Sequence, residues 1–264
     1  MFTFYTATVL YGEQSFGRAC REIAGLGLDR VDLWHIPNWC EHLADGPDAV
    51  ARTLARHGLR LEAISAYGAP AERLGELLPT LRRLGGSALV TGSPRPEVSV
   101  ADFAESIRPL VARATELGVT LAIENHGNAC IDSIASMIEL VERLPEPGLG
   151  IALAPIHLYN RGESTADALR ALKERVAVFY VWDWGPTAVR NWKDPAEQFI
   201  GTGKIDYAPI FDALVEIGYS RPLNVFAHGP EHWPPEKTSE HLRAALAVSR
   251  RMAEEAIARA GPRR

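Results

Sequence analysis

LGVTLAIENH, residues 117–126, joins the end of an amphipathic stretch to a short apolar run through the glycine at position 118. An amphipathic stretch that ends at a glycine is typical of a helix terminus, and a near-continuous apolar run is typical of a parallel strand covered on both faces. The run ends in a carboxylate, Glu124. The stretch therefore predicts a helix, a tight turn and a buried strand with a charged residue at its carboxyl end.

The same helix-to-strand unit recurs along the chain. It is repeated in LGLDRVDLW (26–34), HGLRLEAISA (57–66), LGGSALVTGS (84–93), PGLGIALAP (147–155) and IGYSRPLNVFA (217–227). RVAVFYVWDW (175–184) follows the pattern without the glycine, and FTFYTATVL (2–10) supplies an initial strand. Eight strands at intervals of about 30 residues, the size of one βαβ unit, predict an α/β fold, a single (β/α)8 TIM barrel. We expect residues 1–264 to form this one domain.

Two of the helices have clear signals of their own. In IDSIASMIELVERL (131–144), Ile134, Ile138, Val141 and Leu144 fall on one helical face, with Asp132 or Ser133 available as N-cap. HLRAALAVSRRMAEEAIARA (241–260) is rich in good helix formers and stops at a glycine, which is typical of a helix packed outside a barrel. The segment GPEHWPPEKT (229–238) before it is predicted to be a loop.

Composition excludes several kinds of partner. The chain has 264 residues, of which 47% are hydrophobic and 23% charged, with a formal net charge of -5 and a pI near 5.9. With this acidic net charge we expect no basic surface patch that could bind a phosphate backbone, so nucleic acid is not an expected partner. The sequence contains no apolar run of about 20 residues and no basic leader, so we expect a cytoplasmic protein that does not bind membranes. We expect Cys20, Cys40 and Cys130 to be reduced, buried thiols.

Polar residues at the strand ends are the candidates for chemistry, because barrel active sites lie at the carboxyl ends of the strands. We expect these residues to converge on one pocket: Tyr5, Trp34, His35, Tyr67, Glu124, His126, His157, Tyr180, Trp182, Asp183 and His228.

Glu124 carries the strongest signal, because a charge at the end of an apolar strand must be paired or used. Its alternative role is that of a structural carboxylate bonded to a cation or to backbone. Side chains two apart on a strand share a face, so His126 should point the same way as Glu124, although His126 is equally well suited to capping a loop.

The run LGVTLAIENH, the segment GTGKIDYAPIFDALVEIGYSRPL (201–223) and the eight-unit spacing resemble the xylose isomerase-like TIM barrels, the sugar-phosphate isomerase/epimerase superfamily. The resemblance covers nearly the whole chain. It implies a divalent metal held by a strand-five Glu, a strand-six Asp, a strand-seven His and a strand-eight Glu, with proton transfer at adjacent sugar carbons. By this resemblance the strand-five residue is Glu124, whereas the other three positions carry Ala154, Tyr180 and Phe226.

Loss of three expected ligands changes the predicted mechanism. We predict no metal of the usual kind, and a divalent ion only through a rearranged site that includes Glu124. The resemblance implies that His157, the histidine of A-P-I-H at residues 154–157, binds substrate or assists proton transfer. Its alternative is a strand-end histidine bonded to backbone. Glu124 becomes the sole obvious base, with a pKa that burial should raise, and the candidate donors to an anionic intermediate are His157, Tyr180 and Lys204.

Three functions remain open at this stage. The first is an isomerase or epimerase acting by proton transfer on a small polyol or carbonyl substrate, with Glu124 as base and His157 assisting. The second is a metal-independent lyase, cyclase or hydrolase on a more aromatic metabolite. The aromatic residues that either line the pocket of a flat or cyclic ligand or cap the barrel core are Trp34, Trp39, Tyr67, Tyr180, Trp182, Trp184 and Trp233. The third is a non-catalytic ligand-binding barrel. A small molecule is the expected partner, and homo-oligomerisation is left open.

Overall fold

Eight parallel strands close into a barrel in the computed structural model, which describes residues 2–184 and 195–261. The strands of the described chain are β1 (Phe4–Ala7), β2 (Arg30–Ile36), β3 (Cys40–Glu41), β4 (Arg60–Ser65), β5 (Ala88–Thr91), β6 (Thr120–Glu124), β7 (Leu149–Leu153), β8 (Val176–Val181) and β9 (Leu223–Val225). The order around the barrel is β1, β9, β8, β7, β6, β5, β4, β2, and pairing of β1 with β2 closes the ring. The predicted TIM barrel is therefore confirmed. β3 is a two-residue antiparallel addition at the end of β2.

Helices surround this barrel and connect its strands. They are α1 (Phe16–Gly25), α2 (Pro47–Arg56), α3 (Ala71–Arg83), α4 (Val100–Leu117), α5 (Ile134–Arg143), α6 (Pro155–Arg161), α7 (Thr165–Leu172), α8 (Ala208–Glu216) and α9 (Pro235–Ala260). Short 3-10 helices occupy Thr8–Tyr11, Lys173–Arg175, Pro195–Gln198 and Pro230–His232. Within residues 2–184 and 195–261, none of the helices combines the length and apolarity that crossing a bilayer requires.

Three local predictions differ from the structure. The strand predicted over residues 2–10 ends at Ala7, because the chain turns into a 3-10 helix there. The predicted loop at 229–238 becomes helical from Pro235, a residue suited to the first turn because its missing N–H would have no partner there. α5 begins after Ser133 as N-cap, and its predicted face packs against the core, with Leu144 buried and Ile134, Ile138 and Val141 half-buried. The difference is that the most deeply buried positions within the helix are Met137 and Leu140.

The barrel interior is packed closely enough to require glycine at one strand position. Gly150 lies in β7, and a Cβ atom built there would come within 2.6 Å of the Ala177 Cβ and 2.8 Å of the Thr120 Cγ2. Both distances are shorter than normal van der Waals contact, so the neighbouring strands β6 and β8 would have to move apart. Gly17 in α1 offers a contrast, since a Cβ atom at that position would meet nothing within 4 Å.

Gly150→Ala is expected to lower the free energy of unfolding by about 1–3 kcal/mol through overpacking. Gly17→Ala is the matched control and should leave stability unchanged or raise it by up to about 1 kcal/mol, because alanine favours the helix. Urea denaturation followed by circular dichroism measures both. Equal effects of the two substitutions would contradict the packing argument.

Candidate active site

A cavity of about 420 Å³ opens where the strand ends converge at the carboxyl face of the barrel. Its described lining is Trp34, Trp39, Tyr67, Glu124, His126, Gly127, Asn128, Ile156, His157, Asn160, Trp182, Trp184 and His228. This position is where barrel enzymes carry their active sites, because the loops that follow the strands meet there. The wall is largely aromatic, and the described part of it contains one carboxylate and neither lysine nor arginine.

Seven of the twelve predicted site residues border this cavity: Trp34, Tyr67, Glu124, His126, His157, Trp182 and His228. The described lining does not include the other five, which are Tyr5, His35, Tyr180, Asp183 and Lys204. The strand-end rule thus brings most of the candidates together. The rule misses Gly127, Asn128, Ile156 and Asn160, which lie beyond the strand ends, in loops or in α6. Of the aromatic residues suggested as pocket lining, Trp39 and Trp184 border the cavity, whereas Trp233 is not part of the described lining.

Glu124 forms the polar centre of the cavity. The residue ends β6 with only 4% of its surface exposed, and the Tyr67 hydroxyl donates a hydrogen bond to its Oε2. The Nε2 atom of His157 lies 3.5 Å from Oε1, which is long for a hydrogen bond. Within the described structure this buried nitrogen has no well-formed hydrogen-bond partner. A ligand hydroxyl that bridges the two atoms from the cavity side would hydrogen-bond to both Oε1 and Nε2.

His157 reaches the cavity from a helix instead of from a strand end. It occupies the first turn of α6, which starts at Pro155 directly after β7. Its ring centroid lies 4.3 Å from that of His126 and 5.3 Å from that of Trp182. His126 also contacts the carbonyl of Gly127 through Nδ1 at 2.6 Å, so this exposed histidine both borders the cavity and orders its own loop.

The protonation states follow from burial and from these contacts. Burial raises the pKa of Glu124, but His157, His126 and the Tyr67 hydroxyl outweigh it and hold that pKa below its ordinary value. The expected upward shift is therefore wrong, because the sequence does not reveal the donors that face the carboxylate. Burial lowers the pKa of His157 despite the neighbouring Glu124. At neutral pH the pair consists of a carboxylate and a neutral imidazole.

Tyr180 and Tyr5 lie inside the barrel, below the cavity, and both are almost fully buried. The Tyr180 hydroxyl is 3.1 Å from that of Tyr67. Since Tyr67 gives its proton to Glu124, Tyr180 is the donor in this second bond. Tyr180 is thus hydrogen-bonded to Glu124 through Tyr67.

Asp183, His35 and Lys204 also lie outside the cavity wall. The buried Asp183 carboxylate accepts hydrogen bonds from the backbone N–H of Trp184 at 2.7 Å and of Ile205 at 2.9 Å. A Cβ atom at Gly203 would come within 2.3 Å of its Oδ1, so the GTGK segment needs glycine at 203 for this close approach. The Lys204 Nζ lies 5.6 Å from the centroid of the Trp184 ring, and the His35 Nε2 lies 3.4 Å from the Arg73 Nη2.

Two buried side chains that the sequence analysis did not single out support the aromatic wall. Gln198 accepts the indole N–H of Trp182 at 2.9 Å and donates to the carbonyl of His228 at 2.8 Å. Asp32, in the middle of β2, accepts the indole N–H of Trp34 at 3.0 Å. The available signal was a carboxylate inside the apolar run VDLW, where a buried charge demands partners.

The positions that the resemblance assigns to metal ligands have other contacts. Ala154 is a buried methyl group that precedes α6, and the Tyr180 hydroxyl is bonded to Tyr67. The Phe226 ring packs against Trp34, Trp182 and Tyr180 at centroid distances of 5.0–5.5 Å. In the described chain, no group of three or more His, Cys, Asp or Glu side chains is arranged to hold a metal ion. The residues present do not fit a divalent cation, which needs several such donors.

The amino-acid sequence matches the family described as xylose isomerase-like TIM barrel over residues 20–248. The chain belongs to this family. Among curated relatives, the inosose isomerase of Bacillus subtilis (strain 168) is 23% identical over 122 residues. That match covers 46% of this chain and 44% of the relative, so it spans less than half of the relative's length.

Solved structures share the xylose isomerase-like fold. A structure of L-ribulose 3-epimerase superimposes with a TM-score of 0.78 at 19% identity, covering 98% of this chain and 97% of that one. A crystal structure of the IOLI protein with a bound zinc atom superimposes with a TM-score of 0.77 at 17% identity. The superposition covers 97% of this chain and 99% of that one. At these identities the superpositions show a common fold.

Asp32→Asn should change how stability depends on pH. Burial raises the Asp32 pKa from 3.8 to about 7, although the hydrogen bonds that the carboxylate accepts lower this pKa. Between these values the folded chain keeps a proton that the unfolded chain releases, so the wild type loses stability as pH rises from 4 to 7. The variant lacks this titration. Its free energy of unfolding relative to wild type should rise over that range by on the order of 4 kcal/mol and then level off.

Urea denaturation at several pH values measures this difference. Glu62→Gln is the control, because Glu62 is a buried carboxylate of the same barrel that is paired with Arg30 at 2.7 Å. A constant difference between Asp32→Asn and wild type from pH 4 to 8 would contradict a raised pKa at Asp32.

Proposed function

We propose that this chain is an isomerase or epimerase that acts by proton transfer on a small polyol or carbonyl substrate, with Glu124 as the base. The observation that carries the proposal is the Glu124 carboxylate, buried at the cavity floor between the Tyr67 hydroxyl and the His157 imidazole. The names of the relatives, an inosose isomerase and an L-ribulose 3-epimerase, support this class of reaction.

The reaction is a proton transfer next to a carbonyl group. Glu124 takes the proton from the carbon beside the carbonyl, and the C–H electron pair forms the double bond of an enediolate while the carbonyl π pair moves to oxygen. His157, as a neutral imidazole, donates an N–H to that oxygen and offsets its charge. For isomerisation, the proton returns to the former carbonyl carbon, the hydroxyl proton of the adjacent carbon passes to the enediolate oxygen, and that adjacent carbon becomes the new carbonyl. For epimerisation, a proton returns to the original carbon from the opposite face and the carbonyl re-forms at its first position.

One carboxylate favours isomerisation over epimerisation. Glu124 can remove a proton and return it on the same face of the enediolate, whereas inversion needs an acid on the opposite face. Glu124 is the sole carboxylate in the described cavity wall, so inversion would depend on a histidine. Tyr67 holds Glu124 in place by donating a hydrogen bond to its carboxylate.

The proposed chemistry proceeds without the family's usual divalent metal. The donors at positions 154, 180 and 226 are replaced by a methyl group, an engaged phenol and a phenyl ring, so the charge on oxygen must be offset by hydrogen bonds. The described wall carries the negative charge of Glu124 and no lysine or arginine. An uncharged substrate is therefore favoured over a phosphorylated one.

A second function is favoured by one observation, the four tryptophans in the cavity wall, Trp34, Trp39, Trp182 and Trp184. Such a wall suits a flat, more aromatic metabolite, on which the same Glu124 would act as the base of a metal-independent lyase, cyclase or hydrolase. A binding barrel without catalysis would use the same wall. Solvent-proton exchange into a ketose separates the proposed isomerase from both, since neither alternative exchanges that proton.

Deuterium incorporation from D2O, followed by 1H NMR, tests the proposal on unphosphorylated ketoses and cyclic ketones, with D-psicose, L-ribulose and inosose included, beside ketose phosphates. We expect exchange at the carbon next to the carbonyl of an unphosphorylated compound. Glu124→Gln should lower the rate by at least about 10³-fold and His157→Asn by about 10²-fold. Glu62→Gln, a glutamate of β4 outside the cavity wall, is the matched control and should retain the rate.

The outcomes are distinct. Full exchange by Glu124→Gln, or no exchange of any of these compounds by wild type, would overturn the proposed base chemistry. Loss of exchange on chelation, with recovery on adding Mn²⁺, would overturn the metal-free mechanism while leaving Glu124 as base. Faster exchange of ketose phosphates would contradict the argument from the charge of the wall.

The pH profile of kcat/KM should have an acid limb and no alkaline limb up to about pH 9. The pKa of Glu124 lies below 4.5 and that of His157 below 6.5, so both groups reach their working forms before neutrality. Burial keeps the Tyr67 pKa well above 10, so its hydroxyl continues to donate at alkaline pH. Protonation of Glu124 and His157 therefore lowers activity only below pH 6.5. A limb with its midpoint above pH 7 would contradict these protonation states.

A further inference from the structure

Asp32 is a second carboxylate inside the barrel, fully buried and separate from the Glu124 pair. Its oxygens accept hydrogen bonds from the Trp34 indole N–H at 3.0 Å, from the Ser65 hydroxyl at 2.9 Å and from the Asn224 amide at 3.2 Å. Over residues 2–184 and 195–261 it makes no ion pair with lysine, arginine or histidine. Three uncharged donors alone therefore surround this carboxylate.

The polar side chains around Asp32 turn hydrogen-bond donors, not acceptors, towards its carboxylate. Asn224 turns its NH2 group to Asp32, and its own Oδ1 is buried without a hydrogen-bond partner in the described structure. A carboxylate that is buried without a cationic partner lowers the stability of a core compared with an apolar residue of the same size. Such a costly group in a barrel interior points to a role other than stability.

The Trp34 indole connects Asp32 to the cavity. Residues 32 and 34 are two apart in β2, so both point into the barrel. The indole stacks on Phe226 at 5.5 Å with an interplanar angle of 22°, and its centroid lies 5.0 Å from that of Tyr67. Rotation of the ring about its Cβ–Cγ bond would turn the N–H away from the interior, and the bond to Asp32 opposes that rotation.

We propose that Asp32 is a positioning residue that fixes the Trp34 indole as a rigid apolar wall beside Glu124 and Tyr67, and thereby sets the fit of the substrate. A hydrogen bond to a carboxylate is stronger than one to a neutral acceptor, so a charged residue holds the ring better than an amide would. The C–H face of a substrate packs against this wall, while its polar groups face Glu124 and His157. This consequence for substrate rests on the proposed function; the link between Asp32 and Trp34 does not.

Protonation of Asp32 weakens that link, which makes it observable. Burial places the Asp32 pKa near 7. The other titratable groups that act on it electrostatically in the described structure are Glu124 of β6, Tyr5 of β1, Tyr180 of β8 and Cys40 of β3. None of them titrates near neutrality. His228, 5.6 Å from the Trp34 ring, is held neutral by a pKa that burial lowers to about 3. A response of Trp34 near pH 7 therefore reports Asp32.

The test is a 1H–15N NMR titration of the full chain labelled with 15N-tryptophan, which has six indole N–H groups. Trp34→Phe assigns the Trp34 signal. We expect this signal to move with a midpoint near pH 7 in wild type and to stay fixed in Asp32→Asn. A Trp34 signal that does not move, or that moves equally in Asp32→Asn, would overturn the proposal. This readout requires no substrate.

Kinetics on whichever ketose the wild type exchanges supply the second readout. Asp32→Asn should raise KM by about three- to tenfold with kcat changed less than twofold, because the wall is disturbed and the base is not. In the Trp34→Phe background the same substitution should have no further effect on KM. Additive effects, or a loss confined to kcat, would show that Asp32 does not act through Trp34. If no ketose exchanges, the proposed function falls and the NMR titration alone decides the role of Asp32.

Discussion

Glu124 and Asp32, both buried with no lysine or arginine partner in the described structure, are the constraint on which the mouth of this barrel depends. Each must be met by uncharged donors, and those donors are the side chains that shape the cavity. Tyr67 donates a hydrogen bond to Glu124 and is itself hydrogen-bonded to Tyr180, and the Trp34 indole donates a hydrogen bond to Asp32. The demand for hydrogen bonds therefore fixes the orientation of Tyr67 and Trp34, and these two rings form part of the apolar surface around Glu124.

Much of the fold follows from the sequence, because each strand is a short apolar run behind a glycine or an amphipathic stretch, and parallel strands leave few ways to connect eight such units. Glu124 was found for the same reason, since it ends the run TLAIE. Helix limits were less accurate. α9 starts at Pro235, earlier than composition indicated, because a proline in the first turn resembles a loop signal in the sequence.

The site was predicted in part, and the errors have physical causes. Tyr5 and Tyr180 follow the inward alternation of their strands but lie below the cavity, because alternation gives direction and not depth. Asn160 and Ile156 were missed because they belong to α6, which lies over the barrel mouth after β7. Asp32 was missed because only the fold reveals that Ser65 and Asn224, far apart in sequence, meet at its carboxylate.

The aromatic wall has a practical consequence for the search for ligands. Four of the six tryptophans in the chain border one cavity. The indole fluorescence of these four residues therefore reports on a single cavity. Any molecule that enters should alter it, so unlabelled compounds of unknown relevance can be screened against the unmodified chain.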